Sequence, residues 1–270
     1  LVRVSVIMAA WNSELTVADA IESVLAQTLT DWELIVVSDG STDGTDRTVA
    51  SYAANDARIK HIRTAGQNGA AASRNLGLRE ARAPYAAILD SDDVALPTRL
   101  ERQVELLDGR PEVGATSSQL LEFGRWGGPV LSYWPCDASG IRRRQSKHEM
   151  PIPHPSVTFR RSLVLAVGGY DERLKRAEDY GLLLKFSGLP VVLHCSPDPL
   201  VMYRTTRPVE YGYVLREGQW AQLARQILAG RDNNHLELRS TTRVLTDIRS
   251  TLRWLRRSMR ESYRKPRSNG

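Results

Sequence analysis

Three apolar runs of strand length, residues 2–9, 32–37 and 86–89, and a shorter run at 58–63 alternate with stretches of helical period. This alternation constrains the fold more than any other feature. The intervening helices are read at 14–27, from 45 to about 54, and at 70–81, where Ala70, Ala71, Ala72 and Ser73 are small enough to lie close against a sheet. Strand, helix, strand, helix at this spacing builds a parallel, right-handed, doubly wound α/β sheet. Ligands bind such sheets at the carboxyl edge of the strands. Three polar turns meet there: Ala10-Trp11-Asn12, the run 38–44 with Asp39 and Asp43, and the group Asp90, Ser91, Asp92 and Asp93.

Acids delivered by a strand to that edge suit a divalent cation and the phosphate it holds. The same acids also read as a turn capping the helix that Pro97 opens, with Leu100, Val104 and Leu107 on its stripe. No G-x-G-x-x-G or G-x-x-x-x-G-K-[ST] occurs, so a glycine cradle for phosphate is absent and a cation on carboxylates would serve instead.

Charge has to be located before it means anything. The chain of 270 residues carries a formal +6, yet between Arg239 and Arg267 ten Lys or Arg face only Asp247 and Glu261, which gives that tail +8. Residues 1–238 are therefore close to neutral, about −2 by the same count. A nucleic-acid partner is not expected, and any membrane contact would belong to 236–265. No apolar run approaches the roughly 18 residues that span a bilayer, and residues 2–8 read as a strand rather than a signal peptide, so a cytoplasmic location is expected, with peripheral attachment to a membrane as the alternative. Cys136 and Cys195 form no C-x-x-C pair, which argues against a disulfide framework or a cysteine-rich zinc site.

The blocks S-V-I-M-A-A-W-N (5–12), V-V-S-D-G-S-T-D-G-T (36–45), N-G-A-A-A-S-R-N (68–75) and L-D-S-D-D (89–93) resemble the inverting GT-A glycosyltransferases of family 2. So do H-P-S-V-T-F-R-R (154–161), G-G-Y-D-E (168–172) and A-E-D-Y-G-L-L-L-K (177–185), in the expected order over about 3–205. The resemblance implies a catalytic domain over 1–207, with a nucleotide-binding half at 1–110 and an acceptor-side half at 111–207. It implies that Ala9, Ala10 and Trp11 with Asp39 hold the base of a sugar nucleotide, UDP favoured, Trp11 by stacking and Asp39 by accepting an imide proton. Arg74 would lie near the nucleotide. Asp90, Ser91 and Asp92 match the family's D-x-D, with Asp90 toward the ribose and Asp92 on a Mg2+ or Mn2+ bridging the diphosphate. Asp179 matches the family's general base, flanked by Glu178. His154 is expected to line the acceptor side, and the acceptor itself is carbohydrate, lipid-linked or a small molecule. Many relatives carry a histidine shortly after the strand at 200–204; here none occurs before His235, and Arg204 is expected to meet the phosphates instead.

Residues 123–150 read as an irregular acceptor-facing segment, with Trp126 and Trp134 as sugar platforms or, equally, as part of a surface flap. Beyond 207 the composition turns helical. A C-terminal extension over 208–263 holds candidate helices at 214–228 and 236–259, the second with Val244, Ile248, Leu252, Leu255 and Met259 on one stripe, and 264–270 is expected to be disordered. That stripe can pack on the body, pair with a second chain or lie on an anionic membrane. Two competing functions remain at this point. A sugar-phosphate nucleotidyltransferase would need a glycine-rich basic signature near the first turn, which Ala9-Ala10-Trp11 lacks; a non-enzymatic adaptor using the basic tail would leave the acids at three strand ends without a role.

Overall fold

The computed structural model describes residues 1–206 and 211–230. The predicted helix at 236–259, the basic tail and the segment 264–270 lie outside the described residues. The first half of the chain runs β1 (Val4–Ala10), α1 (Val17–Leu25), β2 (Trp32–Ser38), α2 (Thr45–Asn55), β3 (Ile59–Arg63), α3 (Ala70–Glu80), β4 (Tyr85–Ile88), β5 (Val94–Ala95) and α4 (Arg99–Gly109). The second half runs β6 (Val113–Gly124), β7 (Gly127–Leu131), α5 (Ala138–Ser146), β8 (Thr158–Arg160), α6 (Arg161–Ala166), α7 (Glu178–Phe186), β9 (Val192–Arg204) and α8 (Tyr211–Leu228).

The strands form one sheet in the order β3-β2-β1-β4-β8-β6-β9-β5, with β7 paired on β6. From β3 to β4 every ladder is parallel, as the alternation predicts. Beyond β4 the direction mixes: β8 is antiparallel to both neighbours, and β6 and β9 run parallel over a long, bulged ladder. Successive residues of β1 point to opposite faces, so Val4, Val6 and Met8 pack against α1 and α4, while Ile7 packs with α3 and α7 on the other side. Two apolar cores thus sandwich the sheet. No described helix is long and apolar enough to cross a membrane.

Two expectations are corrected. Helix α1 starts at Val17 rather than residue 14, because the Ser13 carbonyl accepts from the amides of Thr16 and Val17 and closes a turn first. The segment 123–150 is irregular only in part: β6 turns back into β7 at 124–127, and Asp137 caps α5 by accepting from the Gly140 amide at 2.7 Å, with Ile141 buried beneath it, which leaves 132–136 and 147–150 outside helix and strand. A single apolar anchor gives α5 no readable period.

Candidate active site

At the carboxyl edge of β1, β2 and β4 the three polar turns are stitched together. The Asn12 amide, in a residue at φ 48°, donates to Ser41 Oγ at 3.1 Å, and Asn12 Oδ1 accepts from the Thr42 amide at 2.9 Å. Ser13 and Ser91 share a hydroxyl hydrogen bond of 2.7 Å. Ala10 is buried, and Trp11, at 52% exposure, stands out at the rim. Asp43 accepts from the Thr45 amide and hydroxyl, so it shapes the turn into α2.

Asp39 is buried and fastens the loop before α3. Its Oδ1 accepts from the Asn68 amide at 2.9 Å and the Thr64 hydroxyl at 3.2 Å, and its Oδ2 from the Gly69 amide at 2.7 Å. One lone pair of Oδ2 is left. This clamp fixes the start of α3, and with it Arg74 in the second turn.

Arg74 joins the two acid groups. Its Nη2 donates to Asp90 Oδ1 at 2.7 Å and its Nη1 to Glu178 Oε1 at 2.6 Å, with the side chain only 8% exposed. Burial works against the charge on Arg74, but Asp90 and Glu178 more than offset it and hold the guanidinium protonated. Burial alone would likewise raise the Asp90 carboxyl; the Arg74 charge prevails and keeps it below the usual range. Asp90, at the end of the parallel strands, and Glu178, at the start of α7, are therefore joined through one guanidinium.

The other two acids of the turn differ. Asp92 reaches solvent, no described side chain donates to its carboxylate, and crowding by protein and the Asp90 charge push it upward. Asp93 is fully buried beneath it. Its Oδ1 accepts from the Arg204 amide at 2.8 Å, its Oδ2 has no partner among the described residues, and burial with the Asp90 and Asp92 charges drives it well up. Asp93 thus ties the end of β9 to the turn; the residue at the N-cap of α4 is Thr98. Arg204 lies alongside: its Nε donates to the Asp92 carbonyl at 2.9 Å and its guanidinium sits 4.6 Å over Phe123.

Asp179 sits in the first turn of α7, partly buried, and its Oδ1 accepts from the Tyr180 amide at 2.7 Å. Burial first, then the neighbouring Glu178 charge, raise its carboxyl to about 7. The preceding Ala177 holds a left-handed conformation, φ 56°, a costly one for a residue with a Cβ.

Two predicted positions are corrected. His154 does not line an acceptor surface. It is 2% exposed, its Nε2 bonds the Tyr170 hydroxyl at 2.8 Å, and burial with the Arg74 charge pushes it down to about 3, so it is neutral behind the site. Trp134 is not a bare platform either: it packs on the core, Arg144 stands 5.1 Å over its ring, and Gln119 bonds its amide and carbonyl.

Three residues escaped the sequence. Tyr203 of β9 is placed so that burial and the charges of Asp93 and Asp90 push its phenol up. Arg99, fully buried, donates to the Ile88 carbonyl at 2.6 Å under the acidic turn, and burial lowers it to about 10. Asn75 ties α3 to the loop 170–172 through the Tyr170 backbone and Glu172. Arg99 lies in a helix that reads as amphipathic with charge outward, so no pattern distinguished it.

A family model described as Glycosyl transferase family 2 matches residues 5–167, more than half of the chain. EpsE of Bacillus subtilis (strain 168), assigned as a glycosyltransferase, is 38% identical over 190 residues, 68% of this chain and 66% of EpsE. The matched stretch is thus just under two thirds of that relative's length. Among solved structures, the mannosyltransferase PcManGT from Pyrobaculum calidifontis, in complex with GDP-Man and Mn2+, superposes with a TM-score of 0.67 at 17% identity, over 97% of this chain and 76% of that one. S. aureus TarS 1-349 in complex with UDP superposes with a TM-score of 0.62 at 17% identity, over 99% of this chain and 74% of that one. At such identity these two establish the GT-A architecture alone.

Proposed function

The chain belongs to glycosyl transferase family 2, and from that premise we propose that it moves a sugar from a nucleotide-diphosphate donor to an acceptor hydroxyl with inversion at the anomeric carbon. The observation that carries this reading is the Arg74 bridge, which ties Asp90 to the Glu178 that neighbours Asp179. In the reaction the acceptor oxygen forms its bond to the anomeric carbon while the bond to the diphosphate oxygen breaks. The hydroxyl proton passes to Asp179, and the electron pair leaves with the diphosphate. A carboxyl raised to about 7 suits this duty, being ionised in part at neutral pH yet basic enough to hold a proton. Arg74, fixed between two acids, orients both at no further cost when substrate arrives.

The donor's base is assigned to the rim formed by Ala9, Ala10, Trp11 and Asp39. The one lone pair left on Asp39 Oδ2 suits the single imide N–H of uracil better than the adjacent pair of donors on guanine, which favours UDP. The structural neighbours were solved with UDP in one case and GDP-Man in the other.

The residues fit a divalent cation. Asp92 offers a hard oxygen ligand that is exposed and free of side-chain donors, as a Mg2+ or Mn2+ ligand should be. Among the described residues no cluster of three His, Cys, Asp or Glu is arranged to hold a metal, so diphosphate oxygens and water would complete the shell. Such an ion, when bound, would neutralise charge developing on the leaving diphosphate. Arg204 beside Asp92 would serve the same phosphates.

The deciding experiment is a donor screen with product stereochemistry read by NMR, run on the protein and on Asp179→Asn. Inversion in the native protein, with transfer lost by roughly a thousandfold and UDP affinity within about twofold in the variant, is expected. Retention of configuration, or loss of UDP binding together with transfer, would remove Asp179 from this role. Absence of stabilisation by any nucleoside diphosphate would favour a non-enzymatic adaptor.

A further inference from the structure

We infer that α8 is the positioning element of the general base: Glu217 and Arg225, set on either side of Asp179, hold the turn 176–180 in its working conformation. This rests on Asp179 being the base. The turn needs outside support. Ala177 is left-handed without being glycine, and α7 receives no side-chain cap at its start. A conformation of that kind persists where its surroundings impose it.

The surroundings are supplied by α8. Before the strained residue, Arg176 Nη1 pairs with Glu217 Oε1 at 3.4 Å, and the Arg176 guanidinium lies 5.9 Å over Tyr213. After it, the Tyr180 hydroxyl accepts from Arg225 Nη1 at 2.9 Å and donates to the His148 carbonyl at 2.5 Å. Between these two ties runs an apolar seam in which Leu174, Ala177, Tyr180 and Leu184 meet Leu223 and Ala224. Tyr213, Glu217, Trp220 and Ala224 recur at helical spacing on one face of α8, and Arg225 stands at the edge of that face. Gly181 makes room for Leu174 in this seam: a Cβ there would stand 2.7 Å from Leu174 Cδ1, while Ala224 of α8 lies at ordinary contact distance, 3.8 Å. The catalytic turn is therefore braced from a helix outside the stretch that the family model matches.

The same arrangement sets the charge around the base. Asp179 is faced by Glu178 on its own helix, Arg74 from α3, Glu217 from α8, Tyr170 from the preceding loop and Tyr203 from β9. Burial and the Glu178 charge raise its carboxyl, Glu217 adds to the rise, and Arg74 opposes it. Removing the Glu217 charge should make Asp179 easier to ionise.

The test uses the full chain with the sugar nucleotide found in the donor screen, and UDP as the probe of the donor site. Glu217→Gln, Arg225→Lys, Arg225→Met and Asp179→Asn are compared for kcat, donor KM, UDP affinity and the pH profile of kcat. Glu217→Gln is expected to move the acid limb of kcat to lower pH by roughly half a unit. Arg225→Met is expected to lower kcat about tenfold with donor KM and UDP affinity unchanged, and Arg225→Lys to recover most of it. An unmoved acid limb with kcat near native in every α8 variant would overturn the inference, as would UDP affinity falling in step with kcat. If Arg225→Met fails to fold, the isosteric Glu217→Gln decides alone. Transfer surviving in Asp179→Asn would sink the assignment of the base itself; a dead Asp179→Asn beside native α8 variants would sink only the role of α8.

Discussion

On the β1–β4 side of the sheet, acids stand at the ends of strands that are apolar on both faces apart from the bonded pair Ser5 and Glu33, and parallel ladders such as Ala10↔Ser38 and Ile7↔Ile88 set their height. On the β6–β9 side the strands bury Thr116, Ser117, Ser118 and Gln119, and position comes from side-chain hydrogen bonds. Ser117 and Ser156 bond hydroxyl to hydroxyl at 2.7 Å, Gln103 Nε2 donates to the Ser156 carbonyl at 2.7 Å, and Thr158 Oγ1 donates to Gln103 Oε1 at 2.7 Å. The first side is held by burial, which is non-directional; the second by a network that requires each partner in place. Arg74 is bonded to Asp90 on the first side and to Glu178 of α7, the helix whose Phe186 packs on Phe159 of β8.

The largest effect should come from cutting that link. Arg74→Met leaves Asp90 and Glu178 without their shared cation, and it removes the charge that opposes the rise of Asp179. Breaking a buried pair by deleting one partner costs about 3–5 kcal/mol. Transfer should fall by roughly a thousandfold or more, and the thermal midpoint should drop with it. If UDP affinity and kcat stayed near native, the two sides would work without the bridge and the comparison would fail at its centre.

Next in size is the cost of keeping Asp179 ready. A carboxyl raised to about 7 from the ordinary aspartate range means that the folded chain holds a proton the unfolded chain has lost. Stability therefore declines as pH rises from about 4 to 7 and stays reduced above it. Asp179→Asn should stabilise the fold at pH 8 by a few kcal/mol, roughly 2–4, and leave it unchanged near pH 4. Melting curves at the two pH values check the sign, and an equal midpoint at pH 8 would show that Asp179 ionises there without penalty.

The same contrast explains what the residues disclosed. The runs at 2–9, 32–37 and 86–89 are legible because strands buried on both faces are near-continuously apolar, and the turns after them became sites by position alone. Asp179 was reached through the resemblance of 177–185, since two acids opening a helix are otherwise ordinary helix chemistry. The hydroxyl and amide row at 116–119 carries no strand signature, and α5 rests on Asp137 and one apolar anchor, so both depend on partners distant in sequence. His154 was misplaced for the same reason: P-H-P-S reads as a loop, and only packing against Tyr170 and Phe159 turns it inward.

The smallest effects separate the two sides most finely, through one matched pair of substitutions. Met8→Leu replaces a fully buried side chain of β1 by another of similar volume, and such swaps usually cost below about 1.5 kcal/mol. Gln119→Met also keeps volume and removes only polarity, yet Gln119 bonds the Trp134 amide at 3.0 Å, the Trp134 carbonyl at 2.7 Å and the Ser132 hydroxyl at 3.0 Å. Each buried group left unpaired costs on the order of 1–3 kcal/mol, though the part-exposed Trp134 backbone can recover some of it from water. Urea unfolding should therefore place Gln119→Met about 2 kcal/mol below Met8→Leu, with m-values unchanged in both. Equal midpoints would mean that the β6–β9 network adds no specificity beyond packing, and that both sides of the sheet are held by burial alone.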